Sequence, residues 1–575
     1  MKKFGLLIML PVLLVLFSCS EPAQDPQFES LANHYIEAVL KSNPEFATYL
    51  GDHRFDHLMN DYSAEAVGQA LAMNRAYLDS LRQLDPARLS EVNRIDYQIL
   101  RHNIKATIFS LDTLREHEWN PLYYNVGNGL YMLIAREFAP MEVRMKNLVS
   151  RLRAVPNVLD QCKINLLNPP KVYTETAILQ NKGNISMIRD QLPEFIAQTP
   201  ALQAEFDSVQ AIAVEALEFY VAWLEGEMLG QSNGDFRLGD ANYRKKLAYA
   251  LESDYQKEVI LERAEQDLAE TQEVMYQTAR ELHQKYFPNI SEKEISQDRA
   301  YVIKTVLDRL AQDQPTSANI FELARKSVEE CTEFVRIHDL VTLPEEPLEV
   351  IVMPEFRRGF SVAYCDAPGP LEKNAKTFYA ISPTPKDWSA ERTASFYREY
   401  NIYMLHDLSI HEGTPGHYLQ LAHANKFKAP TNVRAIFGSG TFVEGWGTYA
   451  EQLMAEFGFG GPEVRMQQLK MRLRLIINAI IDQKIHTAGM TREAAMDMMM
   501  NQGFQEEGEA AGKWRRACLS STQLSTYYVG NLEVNDIRQA YEDKMGGEVN
   551  LKTLHDTMLS FGSPAPKYVK TLMGL

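Results

Sequence analysis

The chain has 575 residues, 45% hydrophobic and 23% charged, an ordinary globular composition with enough apolar mass for a large core. Lys and Arg number 59 against 76 Asp and Glu, and the formal net charge of −17 speaks against a binder of phosphate backbones, so no nucleic-acid partner is expected.

The N-terminus, "MKKFGLLIMLPVLLVLFSCS", has Lys2 and Lys3, then an apolar run, then small residues. The run Phe4 to Phe17 is 14 residues long, shorter than the roughly 20 a spanning helix needs. It ends in "LFSC", Leu16 to Cys19, which resembles a bacterial lipobox. The pattern predicts a signal peptide over 1–19, lipidation of Cys19 and a tether over 20–29 ("SEPAQDPQ" and its flank). It implies an exported lipoprotein, periplasmic or at the cell surface, with the bacterial membrane as partner through the anchor. The other cysteines, Cys162, Cys331, Cys365 and Cys518, are widely spaced with no C-x-x-C pair, and read as buried free thiols.

Helical periodicity follows in Ser30 to Gly51, with Gly51 as the stop, and in Asn93 to Leu111, Ala211 to Leu229 and Asp298 to Asp313. Near Leu340 the composition turns to Pro, Val, Ile and aromatics. There "LEVIVM" and "TFYAIS" read as strands, with turn chemistry around "DAPGP". Helical spacing resumes at Ser389 to Leu405 and persists to the C-terminus. The expected organisation is mainly α: a helical half over about 30–340, a small β insert, and a second helical half over about 341–575.

Directly after the insert comes "HEGTPGHYLQ", His411 to Gln420. It begins like the zinc-peptidase signature H-E-x-x-H, but the second histidine arrives two residues late. On a regular helix His411 and His417 would lie about 120° apart and about 9 Å along the axis, too far to share an ion at about 2.1 Å. Gly413, Pro415 and Gly416 suit a bulge that ejects two residues and restores an effective i, i+4 relation. Downstream, "FVEGWGTYAEQLM" (Phe442 to Met454) supplies Glu444, 27 residues after His417. A His2Glu set leaves a fourth position open, as catalytic zinc requires. Glu451, seven residues after Glu444, shares its helix face, and Thr448 could support a ligand.

"IHEGTPGHYLQ", "FVEGWGTYAEQL" and "LSTYYVGNLEV" together resemble the bacterial lipoprotein family catalogued as domain of unknown function 885. That family is in turn similar to helical gluzincin peptidases such as thimet oligopeptidase and angiotensin-converting enzyme. The resemblance implies a helical, zincin-like body divided by a long cleft.

The expected roles are one zinc ion held by His411, His417 and Glu444, with Glu412 as the general base that takes a proton from the attacking water. Tyr528, Tyr527 and, more remotely, His486 are candidate donors to the oxyanion. "KTFYAIS" is read as the exposed sheet edge to which a peptide adds, with Phe378 on it. Arg357, Arg358 and Arg434 could receive a substrate carboxylate. The expected activity is zinc-dependent hydrolysis of peptides outside the cytoplasm. A zinc amidase acting on a non-peptide substrate and a non-catalytic peptide- or glycan-binding lipoprotein are the alternatives.

Overall fold

A computed structural model describes residues 23–290, 295–353, 362–372, 376–385, 388–547 and 549–575. The expected lipidation site Cys19, and with it the signal peptide, lies outside the described residues, as do Arg357 and Arg358. Among the described residues no helix is long and apolar enough to cross a membrane.

The structure is mainly helical with a small three-stranded sheet. The expected tether is shorter than 20–29, because the first helix, Asp25–Ser42, already includes its last five residues. Asp25 is pinned by the backbone and hydroxyl of Ser90 and by the Asn93 amide, so the chain docks from its first described turn. The helix expected over Ser30 to Gly51 is two helices. Pro44 opens the second, Pro44–Leu50, and Gly51 ends it at φ 89°, a left-handed conformation that glycine adopts without strain.

The strands are β1 (Leu348–Val352), β2 (Ala363–Asp366) and β3 (Thr377–Ile381), in the order β1-β3-β2. β3 therefore lies at the centre, parallel to β1 and antiparallel to β2, and is not the exposed edge. Thr377, Tyr379, Ala380 and Ile381 are buried, so both faces of β3 are covered, which suits a central strand. Phe378 is half-buried beneath the Arg136 guanidinium, 5.5 Å from its ring centre, and does not sit on a free edge. Strand β2 leads into the "DAPGP" turn, in residues the sequence reading assigns to no strand; four residues carry too little periodicity to stand out.

The core crosses the expected division near residue 340. One apolar cluster joins Tyr243, Ile260 and Leu282 to Leu473, Ile480 and Leu532, and another joins Tyr35 and Leu100 to Val433 and Tyr568. A third, containing Ile410, Leu419, Trp446 and Leu453, lies behind the motif residues. The four non-lipobox cysteines are free; Cys162, Cys331 and Cys518 are buried and Cys365 is half-buried.

Candidate metal centre

The motif helix Ile402–Glu412 starts at Asn401, whose side chain caps the backbone N–H groups of Tyr403 and Met404, and it ends at Gly413. A second helix, His417–Ala424, starts after Gly416. Between them Gly413 (ψ −112°) and Gly416 (ψ −131°) leave helical geometry, and the Thr414–Pro415 peptide is cis. The Gly416 N–H returns to the Ile410 carbonyl at 3.0 Å. A Cβ on Gly416 would lie 2.0 Å from the His411 carbonyl oxygen, so only glycine lets the chain turn back this closely. Buried Trp446 fixes the loop by donating from Nε1 to the Pro415 carbonyl at 2.8 Å.

The loop brings the two histidines together. Their ring centres are 4.4 Å apart, and one ligand atom from each of His411, His417 and Glu444 lies within 4.8 Å of the others. Glu444, in helix Gly440–Glu456, places its Oε2 3.6 Å from His411 Nε2 and 3.4 Å from His417 Nε2. Two atoms bound about 2.1 Å from a tetrahedral centre lie about 3.4 Å apart, so these spacings fit a shared ion. They are long for a charge-assisted hydrogen bond, and Glu444 Oε2 is buried with no hydrogen-bond partner. An unpartnered buried carboxylate oxygen aimed at two imidazole nitrogens fits a cation of the zinc class. The side chains are 11%, 11% and 20% exposed, so the set is not sealed from solvent.

Behind the ligands, His411 Nδ1 lies 2.6 Å from Oε1 of Glu451, which is 1% exposed. A carboxylate on the far nitrogen fixes ring orientation and leaves Nε2 turned toward Glu444. Glu444 and Glu451 do share the helix face, but the role of Glu451 was not assigned from sequence; its seven-residue spacing was the available signal. Thr448 does not support a ligand side chain, because its hydroxyl donates to the carbonyls of Glu444 and Gly445 in its own helix. Burial opposes ionisation of Glu444, but the two imidazoles outweigh it and hold the carboxyl well below its usual range. Burial also opposes charge on His411, and Glu444 and Glu451 outweigh it, raising that imidazole. With buried Asp407 one turn before His411, the surroundings are acidic, as a cation site requires.

Glu412 lies beside the set, half-buried, and its Oε2 accepts from the Cys365 N–H at 2.8 Å. In β2 the Val362 carbonyl pairs with Ser382, so by alternation Tyr364 and Asp366 face β3 while Ala363 and Cys365 point outward. The outward edge of β2 thus faces the motif helix, and sequence reasoning had placed that edge on β3.

Tyr527 and Tyr528 diverge on helix Ser525–Met545. Tyr528 is buried and its hydroxyl donates to Asp267 at 2.8 Å, which commits it to the core. Tyr527 accepts from Arg516 Nη2 at 3.0 Å and interacts with the charges of Glu444 and His411; burial and the Glu444 carboxylate raise its pKa, so it stays protonated at neutral pH. The two helices meet at glycines: a Cβ on Gly445 would lie 2.4 Å from the Gly530 carbonyl carbon. That approach puts Tyr527, one turn before Gly530, near Glu444. His486 is not at the site. It is a core residue that is 1% exposed, stacked with Tyr243 and hydrogen-bonded to the Ala517 carbonyl at 2.9 Å. Arg434 is buried against Asp96, Nε to Oδ1 2.5 Å, and cannot receive a substrate there.

Fold and site together define a mainly helical protein with a candidate His2Glu metal centre. The chain belongs to the bacterial family of proteins of unknown function DUF885, whose model matches residues 44–573. No curated protein matches it. A candidate lipoprotein of unknown function from Shewanella oneidensis is similar over 95% of this chain and 100% of its own, with 32% identity and a TM-score of 0.81. A candidate lipoprotein from Colwellia psychrerythraea shares the fold at 18% identity and a TM-score of 0.79, over 96% of this chain and 99% of its own.

Proposed function

We propose that this protein is a zinc-dependent metallopeptidase that hydrolyses peptides outside the cytoplasm. The observation that carries the reading is the convergence of His411, His417 and Glu444, with Glu444 Oε2 3.6 and 3.4 Å from the two imidazoles and Glu412 next in sequence to the first of them. Zinc held there would polarise a substrate carbonyl and lower the pKa of water to about 7.

The protein's own groups supply the rest. The Cys365 N–H holds one oxygen of Glu412 and orients the other to take the proton of the attacking water and pass it to the leaving amine. Tyr527, whose oxygen already accepts from Arg516, has its O–H proton to donate to the oxyanion; it replaces Tyr528 in this role. This arrangement parallels helical gluzincins in chemistry. A binding protein has no use for a proton acceptor beside its metal ligands, which favours an enzyme over a passive binder.

The test is Glu412→Gln. The variant keeps the ligands and should retain zinc while losing peptide hydrolysis by about 10²–10⁴-fold. Parental turnover by Glu412→Gln, followed by mass spectrometry of a peptide mixture, would remove Glu412 from the mechanism. Activity on amides but on no peptide would transfer the site to the amidase reading. The two structural relatives described as lipoproteins support an anchor at Cys19, so Cys19→Ala should release the protein from membranes.

A further inference from the structure

Arg516 stands out among the cations around the site by its partners. Lys470 and Arg474 are paired with Glu399, and Arg398 with Asp308 and Glu506. Glu509, two turns before Arg516 on helix Glu507–Leu519, is engaged by Tyr400, with Arg474 and Lys513 within 4 Å. Arg516 itself is exposed and donates from Nη2 only to neutral acceptors, Gln523 Oε1 at 2.7 Å and the Tyr527 hydroxyl at 3.0 Å. Among the described residues no carboxylate pairs with it, although acids exceed bases in the chain by 76 to 59.

Its place relative to the ligands follows from two contacts. Tyr527 fixes one edge of the guanidinium, and the crossing of Gly445 with Gly530 sets Tyr527 near Glu444. The carboxylates of Glu444 and Glu509 both act electrostatically on the Arg516 charge without pairing with it. Nε and Nη1 carry the remaining donors, on separate edges of the guanidinium, and each can give a carboxylate one charge-assisted hydrogen bond.

We propose that Arg516 binds a carboxylate of the substrate beside the metal centre. The inference rests on the hydrolase reading and narrows it to substrates that carry a carboxylate near the scissile bond. That group is either the C-terminus of the peptide or an acidic side chain. Gln523 and Tyr527 hold the guanidinium in place, so little ordering is needed when the substrate arrives.

The experiment compares three peptides on the full mature protein: one neutral sequence as its free C-terminal acid and as its C-terminal amide, and the amide with Glu substituted next to the cleaved bond. The wild type should favour one of the two carboxylate-bearing peptides over the neutral amide by about 10–100-fold in kcat/KM, the range for a hydrogen bond to a charged group. Which one it favours names the source of the carboxylate. Arg516→Gln should bring that ratio close to 1, and Arg516→Lys should restore part of it. Equal use of all three peptides by the wild type overturns the proposal. So does Arg516→Gln if it slows all three by one factor, since the residue would then act only through Tyr527. If no peptide is cleaved by zinc-loaded protein, the peptidase reading fails and this inference falls with it.

Discussion

Nδ1 of His411 lies 2.6 Å from Oε1 of Glu451, and both side chains are held away from bulk water. The contact leaves Nε2 of the same ring facing Glu444 and His417. Glu451→Gln keeps the size of the side chain but removes the charge that orients the ring. Zinc affinity should fall by about 10–100-fold. Glu444→Ala, which removes a ligand, should lower it further. Titration against a competing chelator separates the two, and an unchanged affinity in Glu451→Gln would show that the carboxylate does not support the ligand.

Glycines set two distances that can be tested separately. A Cβ on Gly530 would lie 2.1 Å from the Thr441 carbonyl oxygen, and one on Gly447 would lie 2.9 Å from His411 Cε1 and 3.0 Å from His417 Cε1. Gly530→Ala must push two helices apart and should cost about 1–3 kcal/mol or more in unfolding free energy. Gly447→Ala meets ring edges that can shift, so its larger effect should be on zinc affinity. The reverse pattern, with Gly447→Ala unstable and fully zinc-competent, would contradict the packing described.

Much of the site could be read in the sequence because its spacing is unusual. A proline between two glycines inside a His-to-His interval has a physical use, and Glu444 in an apolar helix needs a partner. The roles of Tyr527 and Tyr528 could not be read, because adjacent helical residues point about 100° apart and which one faces the site depends on how two distant helices cross. The guanidinium fork of Arg434 suits either a substrate carboxylate or a structural ion pair, and the structure shows the ion pair. Its partner, Asp96, lies 338 positions earlier and no local pattern announces it. The strand order failed for a similar reason. β3 is apolar enough to be an edge or a centre, and only the short strand β2 decides which.

Arg434 and Asp96 are 1% and 0% exposed, and Arg434 also reaches the Val92 carbonyl. Arg434→Ala strands a buried carboxylate. Breaking such a pair costs about 3–5 kcal/mol. The melting temperature should drop while the KM of the remaining folded protein stays unchanged. A raised KM with parental stability would return Arg434 to the substrate.

Stability should depend on pH in two directions. Burial holds the imidazoles of His486 and His555 down at about 4, against about 6.5 in the unfolded chain. Between those values the unfolded chain binds more protons, so stability rises with pH across that window and is lost as pH falls through it. His53 works the other way. Burial opposes its charge, but Asp56 and Glu372 outweigh burial and raise it to about 9. Its contribution is full below about 6.5 and fades as pH rises to 9. Urea unfolding should therefore show a maximum near neutrality. His555→Gln should flatten the acid side, and an acid limb as steep as the parent's would contradict the assignment.

The measurement closest to the central claim is the metal content of the purified protein by elemental analysis, made beside His417→Ala and Glu444→Ala. Convergence of His411, His417 and Glu444 predicts about one zinc per chain in the parent after dialysis, with loss of that zinc in both variants. A parent that binds no divalent metal when zinc is supplied, or variants that hold it as tightly as the parent, would contradict the account.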